Sequence, residues 1–226
     1  MTETRLLGLL GPIKDETLRL SKGPITHSKH GPKKVVAAAS FSGLDPLSLT
    51  TVQIIDFGCA FLSSSLPPTL GCPVEFFPPE LLFGCPASTK SDVWQLAAMV
   101  YYTHTNQHMF QVGLPIFTHL VAFIVRYHSP VPSHWKGEFV RSKYGLAQFG
   151  EPVVPSPEPD WWWSNDKQPP KSVEDRVINR APYLSASQLD ELGSLLRDMI
   201  TWEPSRRISA AEVERRLQSP ILCSIQ

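Results

Sequence analysis

The stretch SDVWQLAAMVYY, residues 91–102, decides the fold class of this chain. Apolar residues recur along one side of it with helical period, at Val93, Leu96, Ala97, Val100 and Tyr101. Trp94, Ala98 and Met99 fill the opposite side. A helix that is apolar nearly all round is normally buried. We therefore expect it to be the spine of a larger helical domain.

Two further regions predict helices. Residues 117–127 follow Pro115, and near the C-terminus one amphipathic stripe is formed by Leu189, Leu192, Leu195, Leu196 and Met199. Ser209-Ala-Ala-Glu212 is a capping-box sequence, and Ile208 and Val213 occupy the positions of a hydrophobic staple. The fold is predicted to be mainly α, with one or two small β-hairpins near the front.

Residues 1–50 show no sustained period, so we expect an irregular front segment that is mostly loop. Its basic patch, Lys22 to Lys34, fits a solvated face or a nuclear-targeting signal. Proline is frequent, with 22 residues in the chain, and prolines cluster at 67–86 and 152–170. Residues 129–186, which include Trp161-Trp162-Trp163, are predicted to form a Pro- and Trp-rich insert on the domain surface.

The amino-acid composition does not indicate a binding partner. Lys+Arg and Asp+Glu number 21 each, so no net field points to nucleic acid or an anionic membrane. The four cysteines lack zinc-knuckle spacing and imply reduced thiols in an intracellular protein, cytoplasmic or nuclear. The longest apolar stretch, residues 112–125, is too short and too broken to span a membrane.

Four short elements occur in a fixed order. A β-rich run, Val52–Ile55, leads into Asp56-Phe57-Gly58, and Pro78-Pro79-Glu80 follows about twenty residues later. Ser91-Asp92-Val93-Trp94 opens the buried helix, and Glu203-Pro204-Ser205-Arg206-Arg207-Ile208-Ser209 lies near the end.

This order and spacing resembles the second half of a eukaryotic protein kinase domain. The front segment with Gly11-Pro12, the Trp-rich insert and the sequence Tyr127–Pro132 are similar to the SR-protein kinase group, especially its divergent fungal members. The resemblance implies a kinase-like C-terminal lobe over residues 51–222, with the N-terminal lobe absent.

For the site, the resemblance implies that Asp56 holds the Mg²⁺ that bridges the phosphates of ATP, because a hard dication prefers carboxylate oxygen. Phe57 would pack beneath the helix that sets the active state, and Gly58 would permit the turn that aims the carboxylate. The plain alternative for Asp56 is a turn residue at the end of a strand.

For the scaffold, the resemblance implies an ion pair between Glu80 and Arg207. Asp92 would cap its helix and accept hydrogen bonds from a catalytic-loop backbone, and Trp94 belongs to the same helix. These roles are structural rather than catalytic.

The sequence contains no G-x-G-x-x-G, no identifiable strand lysine and no catalytic loop of the His-Arg-Asp type; the candidates around His27 and His30 lack the Asp and the Asn. Phe76-Phe77-Pro78-Pro79 departs from the usual Tyr-Arg-Ala-Pro, Cys72 or Pro73 replaces an expected threonine, and Glu203 replaces an aspartate. Ser63, Ser64, Ser65 and Thr69 form either a phosphorylation segment or a merely hydroxyl-rich loop.

Three functional readings follow. The chain is a C-lobe fragment of a serine/threonine kinase, either a split enzyme or a remnant, and is predicted inactive alone; its partners would be an Arg/Ser-rich protein or a missing N-terminal lobe. Alternatively, it is a non-catalytic, pseudokinase-like module that docks a protein through Trp135 and Trp161–Trp163. The third reading is a helical domain unrelated to kinases.

Overall fold

The computed structural model describes residues 14–17, 32–38, 53–67, 70–112, 116–135, 138–140 and 172–223. Over these ranges the fold is mainly helical, with a small two-stranded antiparallel sheet. The chain divides into two compact units, residues 1–57 and 58–226. The prediction of a mainly α fold with a small β region is confirmed.

The first unit contains the sheet. Strand β1 (Asp15–Thr17) pairs with β2 (Lys34–Val36) so that Glu16 lies opposite Val35. An exposed ion pair joins Lys34 Nζ to Asp15 Oδ2 at 2.6 Å, and such surface pairs add little stability. The rest of the front segment, including most of the basic patch, Gly11-Pro12 and both histidine candidates, lies outside the described residues.

The strand predicted at 52–55 is wrong where it is described. Residues 53–56 form no strand, and Ile54 and Ile55 are 81% and 79% exposed. A strand needs a neighbour to accept its backbone hydrogen bonds, and the part of the chain that the structure describes supplies none here. β-Branched composition alone is a context-dependent signal.

The second unit contains the helices. They are α1 (Pro79–Leu82), α2 (Thr89–Thr105), α3 (Phe117–Tyr127), α4 (Val173–Arg180), α5 (Ala186–Met199), α6 (Ala210–Leu217) and α7 (Pro220–Cys223). Short 3₁₀ turns occur at Val74–Phe76, Ser133–Trp135 and Pro204–Arg206. No helix among the described residues has the length and apolar character that crossing a bilayer requires.

Helix α2 is the buried spine that its sequence predicts, except at Met99, which is 57% exposed. It begins with a capping box in which Ser88 Oγ accepts from the Lys90 N–H at 3.2 Å and Ser91 Oγ accepts from the Ser88 N–H at 3.0 Å. It ends at Asn106, whose left-handed backbone, φ 53°, closes the last turn by donating to Tyr102 O. Trp94 is fully buried in its middle.

The insert predicted at 129–186 differs from the expectation at its C-terminal end, where residues 173–180 form a helix and not an irregular stretch. Trp135 is buried against Phe83, with ring centroids 5.2 Å apart. Helix α4 packs on α5 at Gly193, where an added Cβ would lie 2.9 Å from Glu174 Cγ. Both ends of the segment therefore belong to the core, while residues 141–171, with Trp161–Trp163, lie outside the described part.

The C-terminal helices follow the predicted stripe. Leu192, Leu195, Leu196 and Met199 are fully buried on α5, and Leu189 is partly buried. At the start of α6, Ser209 Oγ accepts from the Glu212 N–H at 3.2 Å. The carboxylate of Glu212 accepts from Arg215 instead of closing the box, so only half of the predicted capping box forms.

Candidate functional site

Arg207 is the most completely coordinated side chain of the second unit. Its Nη1 and Nη2 donate to Glu80 Oε1 and Oε2 at 2.8 and 2.5 Å, and both side chains are 0% exposed. The remaining N–H groups donate to the backbone oxygens of Thr201, Lys90 and Trp202 at 2.7, 3.0 and 2.9 Å. All five guanidinium N–H groups therefore have acceptors, which is what a buried cation requires.

Glu80 is satisfied in the same way. It lies in the first turn of α1, and Ser91 Oγ donates to its Oε1 at 2.7 Å. Lys90 Nζ donates to the backbone oxygen of Arg207 at 2.6 Å, which adds a further hydrogen bond between α2 and the segment that contains Arg207. The ion pair expected between Glu80 and Arg207 is thus present, buried and bidentate. We call this cluster (Glu80, Lys90, Ser91, Arg207) the Glu80–Arg207 joint.

Trp94 forms the aromatic floor of the joint. The Arg207 guanidinium carbon lies 5.0 Å from the Trp94 ring centroid, within cation–π range. The Trp94 ring also stacks on Phe110, with ring centroids 5.1 Å apart and a 5° interplanar angle. Trp94 Nε1 is buried and has no acceptor among the described residues. The indole therefore contributes through its faces rather than through its N–H.

Asp92 does not play the capping role predicted for it. Ser88 is the N-cap of α2, and Asp92 lies one turn further in, exposed and without a hydrogen bond in the described part of the chain. Partial desolvation of the carboxyl raises the pKa of Asp92 above its ordinary 3.8. The missed signal was the Ser88–Ser91 spacing, which places the N-cap four residues before Asp92.

The Asp56-Phe57-Gly58 sequence is exposed. Phe57 is 67% exposed, and the packing expected for it beneath a helix stays a prediction. The left-handed backbone conformation falls on Asp56, φ 62°, and not on Gly58. Aspartate tolerates this region better than most residues, so the turn does not need the glycine.

No group of three or more His, Cys, Asp or Glu side chains that could hold a metal occurs in the described ranges. A lone exposed carboxylate does not make a magnesium site, because Mg²⁺ takes its remaining ligands from other carboxylates, phosphates and water. The role of Asp56 in binding Mg²⁺ and ATP stays a prediction.

Two partly buried basic groups were not found from the sequence. The Arg176 guanidinium on α4 lies over the rings of Tyr101, Phe123 and Tyr127 at 4.9, 5.5 and 5.3 Å, and its Nη2 donates to Met109 O at 2.5 Å. This cage fastens α4 to α2 and α3. An arginine on a short helix carries no sequence signal for such a cage.

His128 follows the last residue of α3 and is the second such group. Burial lowers the pKa of His128 to about 4; the Glu174 carboxylate acts in the opposite direction and Arg207 in the same direction as burial. The imidazole is therefore neutral near pH 7.

The sequence was also compared with models of known protein families, and none of them matches.

Proposed function

We propose that this chain supplies the C-terminal scaffold of a serine/threonine protein kinase, of the SR-protein kinase type, and that it does not transfer phosphate by itself. The single observation that carries the proposal is the Glu80–Arg207 joint. The two residues are 127 positions apart, and each lies in the sequence element where the kinase resemblance assigns one half of a buried ion pair. Fully buried Glu and Arg are rare unless paired, so the coincidence is informative.

The chain alone lacks most of the groups that phosphoryl transfer requires. The family reaction, transfer of the ATP γ-phosphoryl group to a protein hydroxyl, needs a phosphate-covering loop, a lysine and a catalytic base in addition to the metal-binding aspartate. The sequence offers only Asp56 for these roles. Positioning and general base catalysis are each worth orders of magnitude in rate, so the aspartate alone cannot supply them.

The outer side of α2 favours a missing partner. Asp92, Met99 and Tyr102 are exposed along it, with Met99 at 57% and Tyr102 at 43%. A helix that is otherwise a buried spine, but shows apolar side chains and a partly desolvated carboxyl on one side, is suited to being covered. We propose that an ATP-binding lobe with its catalytic loop, on this or another polypeptide, covers this side of α2. Mg²⁺ and ATP are the ligands that the kinase resemblance suggests for Asp56.

A non-catalytic, pseudokinase-like binding module is the second candidate. The same exposed side of α2 favours it, because an apolar helix face can dock an unrelated protein equally well. Trp135 does not favour it, since that ring is buried in the core. An Arg/Ser-rich protein is the partner that the SR-protein kinase resemblance suggests for either candidate.

A complementation assay tests the proposal. The purified chain, Mg²⁺, labelled ATP and an Arg-Ser-rich peptide should give no transfer above the blank. Adding a separately expressed ATP-binding half of an SR-protein kinase should produce transfer that Asp56→Asn abolishes and that Asp190→Asn, an exposed control on α5, does not.

The two candidates give different results in this assay. Association of the two halves without transfer would favour the binding module. Transfer by the chain alone, abolished by Asp56→Asn, would overturn the predicted inactivity.

A further inference from the structure

Two of the four cysteines lie close together in the second unit. Cys59 ends the 3₁₀ turn Phe57–Cys59 and is exposed, and Cys72 lies just before the turn Val74–Phe76 and is partly buried. Both are free thiols. Neither belongs to the Glu80–Arg207 joint or has a role in the proposed function.

Gly71 is the point of contact between them. Cys59 Sγ lies 3.8 Å from the Gly71 carbonyl oxygen, and a Cβ added at Gly71 would lie 3.0 Å from the same sulfur. Because Gly71 has no side chain, the Cys59 thiol can occupy the space beside it. Because a carbonyl oxygen is about 2.8 Å from the next Cα, the Cα of Cys72 lies within about 7 Å of the Cys59 sulfur.

In a disulfide, the sulfur of one cysteine lies about 4 Å from the Cα of the other. The exposed Cys59 would therefore have to move by up to about 3 Å for the two sulfurs to bond. The two thiols also interact electrostatically. Burial raises the pKa of Cys72 to about 11, a hydrogen bond from Gln95 opposes the rise, and the neighbouring Cys59 adds to it.

We propose that Cys59 and Cys72 form a reversible intramolecular disulfide by exchange with oxidised glutathione, closing residues 60–71 into a loop. The bond would tie the residue after Gly58 to the segment that leads into α1. The redox state of the pair would then set how far the loop with Ser63, Ser64 and Ser65 can move.

The exchange proceeds in two balanced steps. The exposed Cys59 thiolate attacks one sulfur of glutathione disulfide, which forms a mixed disulfide and releases one glutathione thiolate that takes up a proton. The Cys72 thiolate then attacks the Cys59 sulfur and releases the second glutathione. Two protein thiols lose two hydrogen atoms in total, and one glutathione disulfide becomes two glutathione molecules.

The second step should depend on pH. Only the thiolate attacks, and Cys72 is mostly protonated below a pKa of about 11. The rate of ring closure should therefore rise about tenfold for each pH unit between pH 7 and 9. Attack by Cys59 on glutathione disulfide can be followed separately as the appearance of the mixed disulfide.

The experiment uses the whole chain in buffers with increasing ratios of oxidised to reduced glutathione, trapped with N-ethylmaleimide. Intact mass should fall by two hydrogen atoms before alkylation, and two fewer thiols should be alkylated. Chymotrypsin cuts after Phe61, Phe76 and Phe83, which places Cys59, Cys72 and Cys85 on separate peptides. The non-reduced digest should contain the Cys59 peptide joined to the Cys72 peptide.

Cysteine-to-serine variants test which two thiols form the disulfide. Cys59→Ser and Cys72→Ser should each abolish the joined peptide, and Cys85→Ser, a matched control at a partly buried thiol, should retain it. A chain that stops at the glutathione mixed disulfide, forms only intermolecular bonds, or joins a different pair of cysteines overturns the proposal. Closure that does not accelerate with pH overturns the role of Cys72 as the second thiol.

Discussion

The Glu80–Arg207 joint and the Asp56-Phe57-Gly58 turn both lie in elements on which the proposed kinase resemblance rests, but their surroundings are opposite. In the joint, both charged side chains are fully buried and every guanidinium N–H has an acceptor. In the turn, Asp56 and Phe57 are exposed, and the carboxylate has no hydrogen bond within the described part of the chain.

The difference lies in where the partners come from. Each partner of Arg207 is a residue of this chain, on α1, at the start of α2 or in the segment after α5. The proposed function would have Asp56 act with a nucleotide, its metal and a catalytic loop, and no catalytic-loop sequence is identifiable in this chain. The joint, in contrast, is complete within the chain.

Removing Arg207 should have the largest effect on stability. Arg207→Ala leaves the Glu80 carboxylate buried without its cation, so we expect the free energy of unfolding to fall by about 3–5 kcal/mol. Urea denaturation followed by tryptophan fluorescence measures it. Arg206→Ala, at a neighbouring exposed arginine, and Phe57→Ala, in the exposed turn, should each change stability by no more than about 0.5 kcal/mol.

Replacing both charges separates the cost of an orphaned charge from the value of the pair. Glu80→Leu combined with Arg207→Met should recover much of the lost stability, because no unpaired charge remains. A double variant that is as unstable as Arg207→Ala would show that the hydrogen bonds to Thr201 and Trp202, rather than the pair, hold the joint together.

Sequence periodicity was sufficient for the long helices. Helix α3 has the predicted bounds, and the α5 stripe from Leu192 to Met199 is buried as predicted. Both are amphipathic over three turns or more, so the pattern repeats often enough to be recognised. The joint was expected only because the kinase resemblance of the two short elements at its ends implies it, and no periodicity indicated it.

Short or isolated elements were not predictable in the same way. Helix α4 shows only Val173 and Val177 as a buried pair, and the prolines before it suggested a continuing loop. The run at 53–55 has strand composition, but pairing decides strands and the run has no neighbour among the described residues. The Arg176 cage depends on three rings from two other helices, which no local pattern contains.

Acid should lower the free energy of unfolding of the second unit through His128. Its pKa is lowered from 6.5 to about 4 in the folded state, chiefly by burial, so the unfolded chain binds the proton more tightly. The stabilising contribution is complete above pH 6.5 and is lost as the pH falls toward 4, by at most about 1.4 kcal/mol per pH unit.

Urea denaturation at several pH values tests this contribution. His128→Gln should flatten the dependence of the unfolding free energy on pH between 6.5 and 4. His134→Gln, at an exposed histidine, should leave it unchanged. An equal slope in wild type and His128→Gln would assign the acid sensitivity to other groups.

The smallest expected effect separates the observed cap of α2 from the predicted one. Ser88→Ala removes the acceptor of the Lys90 N–H and should cost about 1 kcal/mol. Asp92→Asn should change stability by less than about 0.5 kcal/mol, because the carboxylate has no hydrogen bond in the described residues and its pKa is raised rather than lowered.

The two variants should differ in the opposite sense when the association of the chain with an ATP-binding half is measured. If that half covers α2, Asp92→Asn should weaken the association and Ser88→Ala should not. If, without the ATP-binding half, Asp92→Asn lowers the free energy of unfolding as much as Ser88→Ala does, Asp92 stabilises the N-terminus of α2.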